Sequence, residues 1–321
     1  MKQVKFTVAI PTYNGEKRLP KVLDKLREQI NTEHFDWEIL VVDNNSKDST
    51  AEIVKNYQKN WSEAYDLRYY FEVEQGAAFA RQRAIREAKT ELVGFLDDDV
   101  IPASDWVAAA YEFGQKYPQA GAFGGQIHGD FEVPPPENFK RIQSFLAIRE
   151  RGLKAHLYSP EKLILPPSAS WVIRKKAWLD NVPSRPTLGG RAKGSMIQGD
   201  DYEPLLYMHK AGWEIWYNPE MQVAHHIPKS RLEKDYLISL IRGSCLCICY
   251  LRMIGAKTWE KPFIMVKIML GSLKRTIQHI VKYKWQVRTD LIASCEMEFY
   301  LSSFASPFYF LKTLLLSRRL S

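Results

Sequence analysis

Residues 91–102 read ELVGFLDDDVIP, an apolar run from Leu92 to Leu96 that ends in three consecutive carboxylates, Asp97, Asp98 and Asp99. Asp is a poor strand former and adjacent like charges repel, so the triplet marks where a strand stops. In an extended chain alternate side chains share a face, which sets Asp97 and Asp99 one way and Asp98 the other. Taken alone, the stretch reads as a solvated loop after a strand. Its surroundings argue for more.

Strand-like and helix-like segments alternate through the first 130 residues. KFTVAI (5–10) predicts a strand and EKRLPKVLDKLREQI (16–30) an amphipathic helix. WEILVVD (37–43) predicts a second strand, followed by a helix over STAEIVKNYQKN that Ser46 or Asp48 can cap. LRYYFEV (67–73) is a third strand, and Gly76 opens a helix through AAFARQRAIREAKT. ELVGFLD is the fourth strand, with a helix over 106–117 after it. Apolar strands between such helices indicate βαβ units and a largely parallel sheet. Ligands of such sheets bind outside the carboxyl ends of the strands. Three of those ends carry polar residues: Thr12-Tyr13-Asn14, Asp43, and the Asp triplet. That shared edge turns an acidic loop into a candidate site. From 119 to 226 the pattern is less regular, with the Gly-rich AGAFGGQIHG (120–129), the Pro-rich VPPPENF (133–139) and a Gly189-Gly190 loop.

The chain has 321 residues and a net charge of +8, unevenly spread. Residues 227–321 hold 16 Lys and Arg against 6 Asp and Glu, a net of +10, which leaves 29 against 31 in 1–226. Nucleic acid is thereby excluded as the main ligand of the N-terminal part, and an anionic surface is expected at the tail. Cys245, Cys247 and Cys249 sit in an apolar stretch without the paired spacing of a zinc site, and with Cys295 they read as buried core residues. A reducing, cytoplasmic location is expected. The apolar run before Pro11 is too short for a secretory signal.

Four stretches match one family in order: VAIPTYNGEKRL (8–19), EILVVDNNSKDST (38–50), GAAFARQRAIREAKTELVGFLDDDVIPASDWV (76–107) and GDDYEPLLYMHKAGWEIWYNPEMQVAHH (199–226). Together they resemble the family 2, GT-A-fold inverting glycosyltransferases, over about residues 4–226 and most thinly through 130–190. The segment HHIPKSRL is similar to cyanobacterial hormogonium-polysaccharide-type members. The resemblance implies an α/β fold, a GT-A (Rossmann-like), mostly parallel twisted sheet flanked by helices. It also implies a catalytic domain over 1–226 and a basic, apolar helical extension over 227–321.

The chemistry of the residues agrees. Transfer from a nucleotide diphosphate sugar releases a dianion, which a hard divalent ion on carboxylate oxygens can neutralise. The resemblance implies Asp97 at the ribose and Asp99 on Mn2+ or Mg2+, with Asp98 in the variable middle position. It implies Asp43 as acceptor of a base imide N–H, which suits UDP or dTDP, and Thr12 and Tyr13 around the base. Arg81 matches a nucleotide-contacting arginine, although Gln82 stands where the family often has Asn. In QGDDYE the family's Gly-Glu-Asp becomes Gly199-Asp200-Asp201, with Asp200 at the acceptor and Asp201 as the base that deprotonates its hydroxyl. A single base and a single displacement invert the anomeric centre. His225 matches a metal or diphosphate ligand, and Trp171 a residue stacking on a sugar. Each has an ordinary alternative: a turn cap for Asp43, a solvated helix residue for Arg81, a helix N-cap for Asp201, and packing for His225 and Trp171.

The implied partners are a nucleotide-sugar donor and a glycan or lipid-linked acceptor in polysaccharide biosynthesis. The apolar runs over 237–254 and 297–316 contain charged residues, Arg242, Arg252, Glu298 and Lys312, which disfavours membrane spans. Helices lying in an anionic membrane interface fit better, which would place the chain at the inner face of the cell membrane. Of the rival readings, an aspartate-nucleophile phosphohydrolase wants Thr or Val at 101, where Ile stands, and a nucleotidyltransferase wants a Gly-rich basic loop after the first strand. A non-enzymatic scaffold of transferase origin would have lost acidic groups, yet both carboxylate clusters are intact.

Overall fold

The structure, a computed structural model, describes residues 4–61, 65–190 and 196–320. The first strand and helix are β1 (Val4–Thr12) and α1 (Leu19–Arg27), followed by β2 (Asp36–Asp43) and α2 (Thr50–Lys59). Next come β3 (Asp66–Phe71), α3 (Ala77–Glu87), β4 (Leu92–Leu96), β5 (Val100–Pro102) and α4 (Trp106–Lys116). The irregular section holds β6 (Ala120–Phe131), β7 (His156–Leu157), β8 (Ser170–Arg174), α5 (Lys175–Asn181), α6 (Tyr202–Lys210) and β9 (Glu214–Ile227). Four helices follow: α7 (Lys234–Leu246), α8 (Ile248–Ile254), α9 (Lys261–Tyr283) and α10 (Leu291–Leu320).

The sheet is nine-stranded, in the order β3-β2-β1-β4-β8-β6-β9-β5, with β7 paired to β9. The strands β3, β2, β1 and β4 are parallel, as the alternating pattern predicts. Beyond β4 the pairing turns antiparallel, at β8 on β4 and on β6 and at β5 and β7 on β9. Central strands read as continuous apolar runs because helices cover them: every residue of β4 is buried. Leu19, Val22, Leu23 and Leu26 of α1 recur at helical spacing and are all buried. Gly94 of β4 is there for space, since a Cβ would lie 2.7 Å from the Phe6 ring and 2.9 Å from that of Trp106. Trp106 is in turn anchored by its indole N–H, which donates to Ser170 Oγ at 3.0 Å. Neither Ser46 nor Asp48 is the N-cap of α2, which is Ser49 without a side-chain cap bond, but Asp48 just before it accepts from Thr50 N at 3.1 Å through Oδ1.

The chain divides into two compact units: Met1–Asp130, Ala147–Gly189 and Asp200–His226 in one, and Phe131–Leu146, Gly190–Gly199 and Ile227–Ser321 in the other. The second is helical. There α10 packs against α7, α8 and α9, Phe145 lies against Phe299 with ring centroids 6.1 Å apart, and Arg141 pairs with Glu296. All four cysteines are buried free thiols, as expected. Burial pushes the Cys249 thiol up to about 11 and that of Cys295 to about 12. Residues 234–254 are long and apolar enough to cross a membrane, with mean hydropathy 1.7, but 56% of that stretch is buried inside the chain.

Candidate active site

Parallel pairing sets Thr12 directly opposite Asp43 at one edge of the sheet, and β4 delivers the Asp triplet to the same edge. The turns there are tight: Asn14 and Asn45 adopt positive φ, 49° and 64°, which Asn tolerates. They are laced together, with Asn14 N donating to Ser46 Oγ at 2.9 Å and Lys47 N to Asn14 Oδ1 at 2.8 Å. Asp43 closes β2, buried, accepting from Ser46 N at 2.9 Å and Tyr69 Oη at 2.8 Å. Burial and this carboxylate push the Tyr69 phenol well up. Tyr13, by contrast, is 44% exposed and its ring stands free for contact.

Asp98, which the alternation turns away from its neighbours, is held by protein groups: Arg18 grips both oxygens, Nε to Oδ1 at 2.9 Å and Nη2 to Oδ2 at 3.0 Å, and Thr12 Oγ1 donates to Oδ2 at 2.6 Å. Burial raises the Asp98 carboxyl, against the Arg18 hydrogen bonds that lower it. Arg18 also donates to the Tyr13 carbonyl at 3.1 Å. Gly15 closes the knot, because a Cβ there would sit 2.1 Å from Thr12 Oγ1. Arg18 was not among the expected site residues. Its signal was the alternation itself, which turns Asp98 away from its neighbours and demands a cation behind the triplet.

Asp99 and His225 come together as expected, His225 Nε2 lying 3.6 Å from Asp99 Oδ2. The strands explain it: β5 pairs antiparallel with β9, Val100 opposite His225. Among the described residues no group of three or more His, Cys, Asp or Glu is disposed to hold a metal ion. Two protein ligands nevertheless fit a Mg2+- or Mn2+-type ion, which takes its remaining oxygens from substrate phosphates and water.

Arg81 is bonded to the second acidic cluster and feels the charge of the first. From α3 it bonds Asp200 Oδ2 at 2.8 Å and Ser168 Oγ at 2.9 Å, its Nε having no hydrogen-bond partner among the described residues. Burial opposes its charge, but the carboxylates of Asp200, Asp97 and Asp201 outweigh that and raise its pKa. Asp97 is pushed up to about 6 by burial and by Asp99, against the pull of Arg81 and His225. Asp201 is likewise pushed up to about 6 by burial and by Asp200, against Arg81. It is also the N-cap of α6, its Oδ1 accepting from Tyr202 N at 3.0 Å. The solvated-helix alternative for Arg81 is thus excluded, and the N-cap alternative for Asp201 holds alongside any chemistry.

Trp171 departs from the stacking expected of it. It is 0% exposed, edge-on to Phe95 at 6.2 Å and with the Arg81 guanidinium 5.9 Å over its ring. No ring face is open to a sugar, and packing describes it. Gln82, where the family often has Asn, accepts from Trp178 Nε1 at 2.8 Å. Glu203, which the sequence reading does not single out, is buried and accepts from Thr187 N at 3.2 Å and Leu188 N at 2.9 Å. It therefore fixes a loop.

Residues 7–178, over half of the chain, match the family model Glycosyl transferase family 2. The chain belongs to glycosyl transferase family 2. Within the family, 102 residues are 39% identical to a dolichyl-phosphate beta-glucosyltransferase of Trichomonas vaginalis, covering 30% of this chain and 31% of that protein. A poly(ribitol-phosphate) beta-glucosyltransferase of Bacillus spizizenii is 30% identical over 113 residues, 35% of this chain and 18% of that protein. The match thus spans about a third or less of these curated relatives. Among solved structures, a Pyrobaculum calidifontis mannosyltransferase in complex with GDP-Man and Mn2+ superposes with TM-score 0.59 at 20% identity, covering 94% of this chain and 86% of that one. S. aureus TarS 1–349 in complex with UDP-GlcNAc gives 0.54 at 16% identity, covering 96% and 92%. At these identities the likeness is one of fold: a mixed α/β sheet flanked by helices, with a C-terminal helical region.

Proposed function

We propose that this family 2 transferase is a metal-dependent inverting enzyme that moves a sugar from a nucleoside diphosphate sugar to a hydroxyl of a glycan or lipid-linked acceptor in polysaccharide biosynthesis. The observation that carries the reading is Arg81, buried and ion-paired with Asp200, with the charge of Asp97 in the triplet acting on it as well. Residues 1–226 are read as the catalytic domain and 227–321 as an extension. Asp43 and Thr12 take the base, with Tyr13 stacking on it, and Asp97 takes the ribose. Asp43 favours a base with an imide N–H, so UDP and dTDP are the preferred donors. Asp99 and His225 would hold Mn2+ or Mg2+, which supplies positive charge to the diphosphate leaving group. Asp201 accepts the proton of the acceptor hydroxyl, and Asp200, held by Arg81, orients that acceptor. A carboxylate raised towards neutrality is a stronger base than an ordinary Asp. Both clusters are intact, which disfavours a non-catalytic scaffold.

Two relatives bear names that refer to a lipid-linked and a polymeric substrate. With the net +10 of residues 227–321, they support a membrane-delivered acceptor and a place at the cytoplasmic face of an anionic membrane. HHIPKSRL supports a hormogonium-polysaccharide-type role. The test is turnover of a panel of UDP-, dTDP- and GDP-sugars with Mn2+, repeated with EDTA. Turnover of UDP- or dTDP-sugars that EDTA abolishes is expected. Turnover untouched by EDTA would remove the metal from the scheme.

A further inference from the structure

Helix α9 is apolar on two faces. Its fully buried positions are Ser272, Thr276 and His279, on the same side as half-buried Ile264, Met265, Ile268 and Met269. Thr276 Oγ1 donates to Ser272 O at 2.9 Å and His279 Nε2 lies 2.9 Å from Ala293 O. A second set of large apolar residues points out: Phe263 is 70% exposed, Leu270 63% and Val281 70%, with Val266, Leu273 and Ile277 also exposed. At about 100° per residue they fall in one stripe about 100° wide, on the side away from Ser272 and Thr276. Lys267 and Lys274 run along one border of the stripe, and exposed Trp259 and Trp285 flank its ends. From 261 to 289 there are seven Lys and Arg and no Asp or Glu.

A continuous apolar stripe of this kind is rarely left bare on a protein surface, so something covers it. The charge says what. Pairing with a second copy through the same face would bring two sets of lysines together with no carboxylate from this helix between them. An anionic bilayer supplies both the apolar layer and the counter-charge, and Trp at the ends suits its interface. We propose that α9 lies in the plane of an anionic lipid surface, with Phe263, Leu270 and Ile277 among the upper acyl chains and Lys267 and Lys274 at the headgroups. This deepens the membrane reading above, and rests on it, by naming the surface that makes contact.

The test uses the full chain, sedimented with phosphatidylcholine vesicles with and without phosphatidylglycerol, in the absence of any sugar nucleotide. Binding to the anionic vesicles alone is expected, weakening as salt is raised. The pair Lys267→Glu and Lys274→Glu should lower that partition about tenfold or more, since each cation near such a surface is worth about 1 kcal/mol. The pair Phe263→Ser and Leu270→Ser should lower it similarly at any salt. Both alter exposed positions, so thermal melting should stay that of the parent. Binding by the parent that all four substitutions leave intact overturns the role of α9 alone. A parent that stays in the supernatant overturns the membrane reading as well, without touching glycosyl transfer. A dimer by light scattering that Phe263→Ser and Leu270→Ser dissolve, with no vesicle binding, assigns the face to a second copy and overturns the proposal.

Discussion

Asp201, the base we propose, is also buried, and those demands pull in opposite directions. Burial and the neighbouring Asp200 raise its pKa to about 6 from the model-peptide 3.8. A base works only when ionised, so transfer should fall as pH drops through about 6 rather than near 4, which a pH profile of kcat under saturating donor would show. The same shift bears on stability. A carboxyl whose folded pKa lies above its unfolded one opposes folding at every pH above the folded pKa, and the penalty vanishes as pH falls below the unfolded value. Asp201→Asn should therefore melt higher at pH 7, by on the order of 2 kcal/mol, and Asn still caps α6. It should also lose about 10²–10⁴-fold in kcat with UDP–Mn2+ affinity unchanged by calorimetry. Full transfer activity in that variant would move the base elsewhere. The triplet gives a second contrast. Asp99→Ala should abolish metal-dependent UDP binding with little change in melting. Asp98→Ala removes the partner of Arg18 and Thr12, so it should lower stability by about 1–3 kcal/mol instead. Equal loss of UDP–Mn2+ affinity in the two variants would sink the division of roles.

Strands and helices are held in register by contacts that little in their own sequences announces. Gly125 of β6 lies so close to β9 that a Cβ would stand 1.8 Å from the Met221 carbonyl oxygen. Backbone cannot move aside as a side chain does, so Gly125→Ala should destabilise by about 2–4 kcal/mol in urea unfolding. An unchanged midpoint would show that the strands part easily. At α6, Glu203 receives two backbone N–H groups from the loop that ends at Gly189. An amide there offers one acceptor and adds a donor facing a donor. Glu203→Gln should thus speed hydrogen exchange at Leu188 while leaving the α6 amides protected.

The molecule as a whole does not divide at residue 227 as cleanly as its composition does. Phe131–Leu146 and Gly190–Gly199 belong with the C-terminal helices, where Phe145 meets Phe299 and Arg141 meets Glu296. A chain cut after His226 would leave the first of these segments without its partners. Such a fragment should bind ANS and lose cooperative melting. A cooperative melt with UDP binding would show instead that the catalytic unit closes alone. The buried thiols give a readout of the intact unit: all four cysteines should resist DTNB until the protein unfolds, because all are buried and burial raises Cys245, Cys249 and Cys295 away from the thiolate that reacts.

Much of this is written locally and so is legible in the chain. Apolar runs and their terminators placed the first four strands and helices to within a few residues, and parallel order followed from the βαβ alternation. Polar residues at three strand ends then had to share an edge, because parallel strands end on the same side. Quantities that depend on a distant neighbour were not legible. The Arg81–Asp200 pair spans 119 residues, and the Arg18 fork on Asp98 spans 80. Trp171 reads equally as a sugar platform or as core until Phe95 and Arg81 are set around it. The antiparallel half of the sheet lay hidden because glycines and prolines interrupt its periodicity. In α9 apolar residues occur on two faces, and which of them turns inward is set by the helices it packs against: Ile264, Met265, Ile268 and Met269 are half-buried, while Phe263, Leu270 and Ile277 stay out.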